Sequence, residues 1–88
     1  ARSARIRVRV QVLYFQSVRR VAGVEREVVE LPDRATIQDL LDGLGQRRPE
    51  LAALAPTLLF ARNEEHVGAE AALAEGDIVA LMPPFSGG

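Results

Sequence analysis

Cysteine is absent from this 88-residue chain. That excludes a disulfide framework, a thiolate nucleophile and a cysteine metal site. Lysine is absent too, so all eleven basic residues are arginine. The plain reading of that bias is a GC-biased genome. Its chemical consequence is that no side-chain amine can capture an activated carboxyl group, leaving only the α-amine or a partner's lysine. No apolar run approaches the ~18 residues that span a membrane, and no signal-peptide pattern opens the sequence. Neither membrane insertion nor secretion is expected, and a cysteine-free chain suits a reducing cytoplasm. The net charge of −1 argues against a dedicated nucleic-acid binder.

The usual catalytic sets are missing as well. The single histidine, His66, stands in a turn-like region and reads as a solvated residue. Glu64 and Glu65 beside it do not have metal-ligand spacing, and no metal site is expected. Ser17 and Ser86 lack the neighbours of a nucleophile. Gly43 and Gly45 fall in a helical stretch, not in a phosphate-binding turn between strand and helix. The chain does not read as an enzyme on its own, and no bound cofactor is expected.

What is present describes one small domain over residues 1–88, with 48% hydrophobic and 26% charged residues. Ile6, Val8, Val10 and Val12 alternate with Arg5, Arg7, Arg9 and Gln11, which is a strand with an apolar and a basic face. Residues 15–22 read as a short helical turn closed by Gly23, and Val24–Leu31 as a second strand ending at Pro32-Asp33. Thr36 is placed as an N-cap with Asp39 completing a capping box. Ile37, Leu40, Leu41 and Leu44 form one apolar stripe up to Pro49. Residues 57–62 read as a third strand, 66–67 as a short return strand, and Ala69–Ala74 as a helical turn. Ile78–Met82 is a continuous apolar run, expected to be a central strand buried on both faces. The first and last strands are the most apolar and should pair in parallel at the sheet centre. This is an α+β class, a mixed sheet of four to five strands on one main helix.

The unusual stretch is the last one. Met82 is followed by Pro83, Pro84, Phe85, Ser86, Gly87 and Gly88. Two prolines stiffen the exit from a buried strand and project residues 83–88 as a tail. A stiff tail loses little entropy when gripped. Phe85 is an apolar anchor for a partner's pocket, and Gly87-Gly88 is slim enough for a narrow tunnel. A carboxylate at Gly88 is ionised and inert at neutral pH until it is activated.

The segment Glu75-Gly76-Asp77-Ile78-Val79-Ala80-Leu81-Met82-Pro83-Pro84-Phe85-Ser86-Gly87-Gly88 resembles the C-terminal signature of the sulfur-carrying small subunits of molybdopterin synthase. The resemblance extends to Val10–Gly23, to Leu31-Pro32 through Leu41, and to Phe60-Ala61-Arg62-Asn63. It implies a ubiquitin-like β-grasp fold. It also implies that Gly88 is adenylated by an E1-like activating enzyme, which consumes ATP, and is thiocarboxylated from a sulfur donor enzyme. Phe85, Ser86 and Gly87 would be the part of the tail inserted into the large synthase subunit, within a heterotetramer acting on cyclic pyranopterin monophosphate. Met82 and Phe15 would belong to the docking surface. Two alternatives share the fold. One is a related sulfur carrier for thiazole formation, tRNA thiolation or cysteine synthesis. The other is a protein modifier or interaction domain.

Overall fold

The computed structural model describes residues 7–84. Its five strands are β1 (Arg7–Tyr14), β2 (Arg26–Pro32), β3 (Leu59–Arg62), β4 (Glu65–His66) and β5 (Ile78–Met82). They form one mixed sheet in the order β2-β1-β5-β3-β4. β1 and β5 run parallel at its centre, while β2 pairs antiparallel with β1 and β3 antiparallel with β5. The helices are α1 (Ser17–Ala22), α2 (Ile37–Arg47) and α3 (Pro49–Leu54), followed by a 3-10 turn over Ala55–Thr57. This is the expected β-grasp arrangement, with α2 as the main helix. Alternation decides which face is closed. Val8, Val10, Val12 and Tyr14 point into the core with Val79 and Leu81, while Arg7 and Arg9 face solvent.

Helix α2 begins where its chemistry places it. Thr36 Oγ1 accepts from the Asp39 N–H at 3.2 Å, and Asp39 Oδ2 accepts from the Thr36 N–H at 2.9 Å. Ile37, Leu40, Leu41 and Leu44 are all buried. The segment 69–74 departs from expectation. It is not helical: a turn closed by Ala71 N–H to Gly68 O at 3.1 Å leads into an isolated bridge between Thr36 and Ala72. Its carbonyls take the first N–H groups of α2, Ile37 N–H to Ala71 O at 3.0 Å and Gln38 N–H to Ala69 O at 2.9 Å. Satisfying these otherwise orphaned donors and burying Leu73 outweighs the modest helix preference of a short alanine-rich run.

β5 also departs from expectation. It is central, yet only Val79 and Leu81 are buried, and Ile78 is 41% exposed. The helices cover one face of the sheet and leave the other open, so position in the sheet does not bury both faces.

One polar network interrupts the apolar layer. Glu27 opposes Val12 on the core-facing side of β2. Its carboxylate accepts from the Tyr14 hydroxyl and from Arg48 Nη1 at 2.8 Å. Burial works to raise the Glu27 pKa. The hydrogen bonds from Tyr14 and Arg48 and the charges of Arg48 and Arg47 outweigh it, holding the carboxyl below its ordinary 4.5. Tyr14 is pushed well above its ordinary range, first by burial and then by the Glu27 hydrogen bond and charge.

Two predictions follow from this packing. Because the native Glu27 pKa lies below the unfolded one, its contribution is complete above the ordinary value and is lost as pH falls through the native value. Glu27→Gln should therefore destabilise the fold by about 2 kcal/mol at pH 7, with the gap to the parent narrowing in urea titrations as pH falls below the ordinary carboxylate range. The two helical glycines should respond in opposite directions. A Cβ at Gly43 meets nothing within 4 Å, whereas one at Gly45 would stand 2.8 Å from the Ala52 Cβ, where α2 and α3 meet. Gly43→Ala should stabilise by roughly 0.5–1 kcal/mol, and Gly45→Ala should destabilise by about 1–3 kcal/mol, both read from denaturant midpoints.

Candidate functional site

The described part of the tail signature includes β5, a strand paired on both sides. At its entry, Glu75-Gly76-Asp77 forms a tight turn with Gly76 at φ 85, a conformation that favours glycine. Asp77 N–H donates to Ala74 O at 3.1 Å, and Asp77 Oδ2 accepts from Ala74 N–H at 2.8 Å. Asn63, at φ 51, locks this turn to the end of β3. Its N–H donates to Ile78 O at 2.8 Å, its Oδ1 accepts from Ile78 N–H at 2.9 Å, and its Nδ2 donates to Asp77 Oδ1 at 3.0 Å. Sequence reading marked Asn63 only as part of a resemblance; here it closes the strand's entry with three bonds.

At the exit, Tyr14 pairs with Leu81 and Leu59 with Met82. Phe15 N–H adds a bond to Leu81 O at 3.2 Å. Phe15, Gln16, Leu59, Met82, Pro83 and Pro84 line a surface hollow of about 200 Å³ at the base of the tail. Phe15 is 40% and Leu59 44% exposed. The two expected docking residues, Phe15 and Met82, thus stand together. Phe85, Ser86, Gly87 and Gly88 lie outside the described residues.

The register extends this hollow into a wider surface. Leu59 and Met82 form one cross-strand row of the open face; Leu13, Ala80 and Ala61 form the next, and Ile78 lies beyond. A contiguous, partly exposed apolar face on a small domain marks an interaction surface. Sequence reading missed Leu59 and Gln16. Leu58-Leu59-Phe60 does not alternate in polarity, so its outward residue carries no signal of its own. Gln16 fell inside the helical turn read over residues 15–22 and matched no motif.

The rest of the described chain offers little competing chemistry. His66 is exposed on the edge strand β4. Among the described residues, no three His, Asp or Glu side chains are grouped to hold a metal ion. No helix among them is long and apolar enough to cross a membrane. A larger cavity of about 760 Å³ opens between α2, α3 and β3, lined among others by Leu41, Gly45, Ala52 and Phe60. Phe60 belongs to the core-facing register of β3, so this cavity is separate from the tail-base hollow on the open face.

Comparison with known proteins gives a consistent picture. The profile of the ThiS family matches residues 12–88. A molybdopterin synthase sulfur carrier subunit from Chlamydomonas reinhardtii is 42% identical over 83 residues, covering 92% of this chain and all of that protein. A Pyrococcus furiosus structure, provisionally described as subunit 1 of the molybdopterin converting factor, superposes with a TM-score of 0.81 at 30% identity, covering 89% of this chain and 99% of its own. The small archaeal modifier protein 1 of Haloferax volcanii superposes with a TM-score of 0.76 at 27% identity, with 89% and 99% covered.

The anchoring of β5 carries its own prediction. Asn63→Ala removes two side-chain bonds and places a residue with a Cβ but no local hydrogen bond at positive φ. It should destabilise the fold by about 1–3 kcal/mol. Asn63→Gly should recover part of that loss, because only the bonds and not the backbone preference are then missing. Thermal unfolding of the two variants measures the difference.

Proposed function

This chain belongs to the ThiS family, and from that premise we propose that it is a sulfur carrier of molybdenum cofactor biosynthesis, working in the cytoplasm. The observation that carries the reading is the 42% identity to a sulfur carrier subunit over that protein's whole length. The geometry at the base of the tail supports it. A strand held at both ends delivers Pro83-Pro84 beside an apolar hollow, so the root of the tail is fixed relative to whatever surface docks there.

In this reading Gly88 bears the reactive carboxylate. One carboxylate oxygen attacks the α-phosphorus of ATP within an E1-like activating enzyme, releasing pyrophosphate and leaving an acyl adenylate. A sulfide-level nucleophile from a sulfur donor enzyme then attacks the acyl carbon. The C–S bond forms as the C–O bond to AMP breaks, giving the thiocarboxylate. Phe85, Ser86 and Gly87 thread this end into the large synthase subunit of a heterotetramer. There the thiocarboxylate sulfur attacks a carbon of cyclic pyranopterin monophosphate and displaces an oxygen substituent, giving a thioester between carrier and pterin. Water then attacks the acyl carbon and breaks its C–S bond, leaving the sulfur on the pterin and restoring the carboxylate. Phe15, Leu59 and Met82 are the docking face. ATP is consumed by the activating enzyme, and the carrier itself needs no bound cofactor.

A second reading, a protein modifier joined to partner lysines, draws on the likeness to the archaeal modifier protein. A lysine-free chain can be conjugated to others but cannot build side-chain-linked chains of itself. Related carriers for thiazole formation, tRNA thiolation or cysteine synthesis would share the chemistry at Gly88 and differ in the partner.

Incubation with the activating enzyme, ATP and a sulfur donor should raise the intact mass by the replacement of one oxygen by sulfur, and deletion of Gly88 should abolish that gain. The thiocarboxylated protein should then yield dithiolene product with the large subunit. Lysine adducts in place of product would favour the modifier, and absence of the mass gain would sink the carrier. Phe15→Asp should weaken large-subunit affinity about tenfold or more with little change in melting temperature.

A further inference from the structure

Gln16 adopts φ 54 and ψ −127. Val18 N–H donates to Phe15 O at 3.0 Å, closing a turn in which Gln16 and Ser17 are the central residues. The Gln16 angles are those of the first central position of a type II′ turn, where glycine is the comfortable residue. Glycine would serve the turn better. A long polar side chain held in a sparsely populated backbone region points to a role beyond the turn.

The surroundings of Gln16 indicate that role. The hollow at the tail base is lined by five apolar residues and one polar one, Gln16. It is exposed, and its carboxamide has no hydrogen-bond partner among the described residues. Pro83 and Pro84 contribute carbonyls but no N–H groups. In the free protein water satisfies those carbonyls. Once a partner closes over the tail and excludes water, a carbonyl without a donor is strongly unfavourable. Gln16 lines the same hollow as Pro83 and Pro84, so its side-chain amide is the donor placed beside them.

We propose that Gln16 is a positioning residue for the tail: its side-chain amide donates a hydrogen bond to a main-chain carbonyl of Pro83-Pro84 in the docked complex and fixes the angle at which the tail leaves the body. The inference rests on the sulfur-carrier reading, since it needs a partner that encloses the tail. A neutral amide suits the place, because it donates without bringing a charge into an apolar hollow.

The experiment compares the full chain with Gln16→Ala, Gln16→Glu and Gln16→Gly, measuring melting temperature and affinity for the large synthase subunit by calorimetry. Gln16→Gly should melt higher than the parent, because the backbone is relieved, and yet bind about five- to tenfold more weakly. Gln16→Glu keeps the size of the side chain but cannot donate when ionised, and should bind as weakly as Gln16→Ala. A merely structural role would make affinity follow stability. Variants that bind as tightly as a parent that does bind overturn this inference alone. A parent that does not bind the large subunit overturns the sulfur-carrier reading, and this inference falls with it.

Discussion

The parallel pairing of β1 with β5 is the constraint on which the rest depends. Two parallel strands finish at the same end of a sheet, so whatever follows each emerges at the same place. After β1 come Phe15 and Gln16; after β5 come Pro83 and Pro84. The antiparallel β3 starts at that end, with Leu59 opposite Met82. The tail-base hollow is therefore a consequence of topology. Five of its residues are brought together from the ends of three strands, and none needs a specialised loop to hold it there. Parallel neighbours require a crossover, and the whole chain from α1 to β4 supplies it, with α2 packed on the closed face.

That crossover also separates the two faces by function. The helical side contains nearly all the apolar burial, including Val12, Tyr14, Leu40, Leu44 and Leu81. The open side keeps Ile78, Leu59 and Phe15 partly exposed. Stability and recognition thus draw on different residues of the same strands, in simple alternation. Glu27 is the exception that the closed side tolerates. Its acceptors are occupied by the Tyr14 hydroxyl and Arg48, which tie β1, β2 and the α2–α3 junction together, so a core-facing carboxylate has its partners. The ion pair with Arg47 at 3.6 Å is a weaker addition, because that arginine side chain is 57% exposed and screened by solvent.

Much of this was legible in the residues, and the divide follows the range of the physics. Local signals read well. The Val8-Val10-Val12 alternation, the Thr36–Asp39 box, the Ile37-Leu40-Leu41-Leu44 stripe and the Gly23 cap each depend on neighbours within a few positions, and each is present in the fold. The central parallel pair was legible because the most apolar strands compete for the centre of a sheet. Signals that depend on distant partners were not. Nothing near Glu27 announces Arg48, twenty-one residues on. The alanine-rich 69–74 stretch forms a turn and a bridge in place of a helix because α2's free N–H groups need acceptors, a demand set far earlier in the chain. β5 read as buried on both faces because one-sided covering is a property of the whole layer and not of five residues.

The tail stood out in the sequence at once, and the setting of its root did not. Pro-Pro and Gly-Gly describe a thin, stiff segment, but stiffness alone does not aim it. Aim requires that the root of the tail be held relative to the docking surface, and both ends of β5 supply that hold: the Asn63 lock at the entry and the ladder with Tyr14 and Leu59 at the exit. In the role proposed above, presenting the same end to an activating enzyme and then to a synthase, the protein benefits from this division. In that role each partner can recognise the rigid face and meet a tail whose root is already held, which lowers the entropy lost on docking. In the proposed role the body needs no chemistry of its own: its work is to make the position of the tail's root predictable to its partners, and a strand anchored at both ends is sufficient for that.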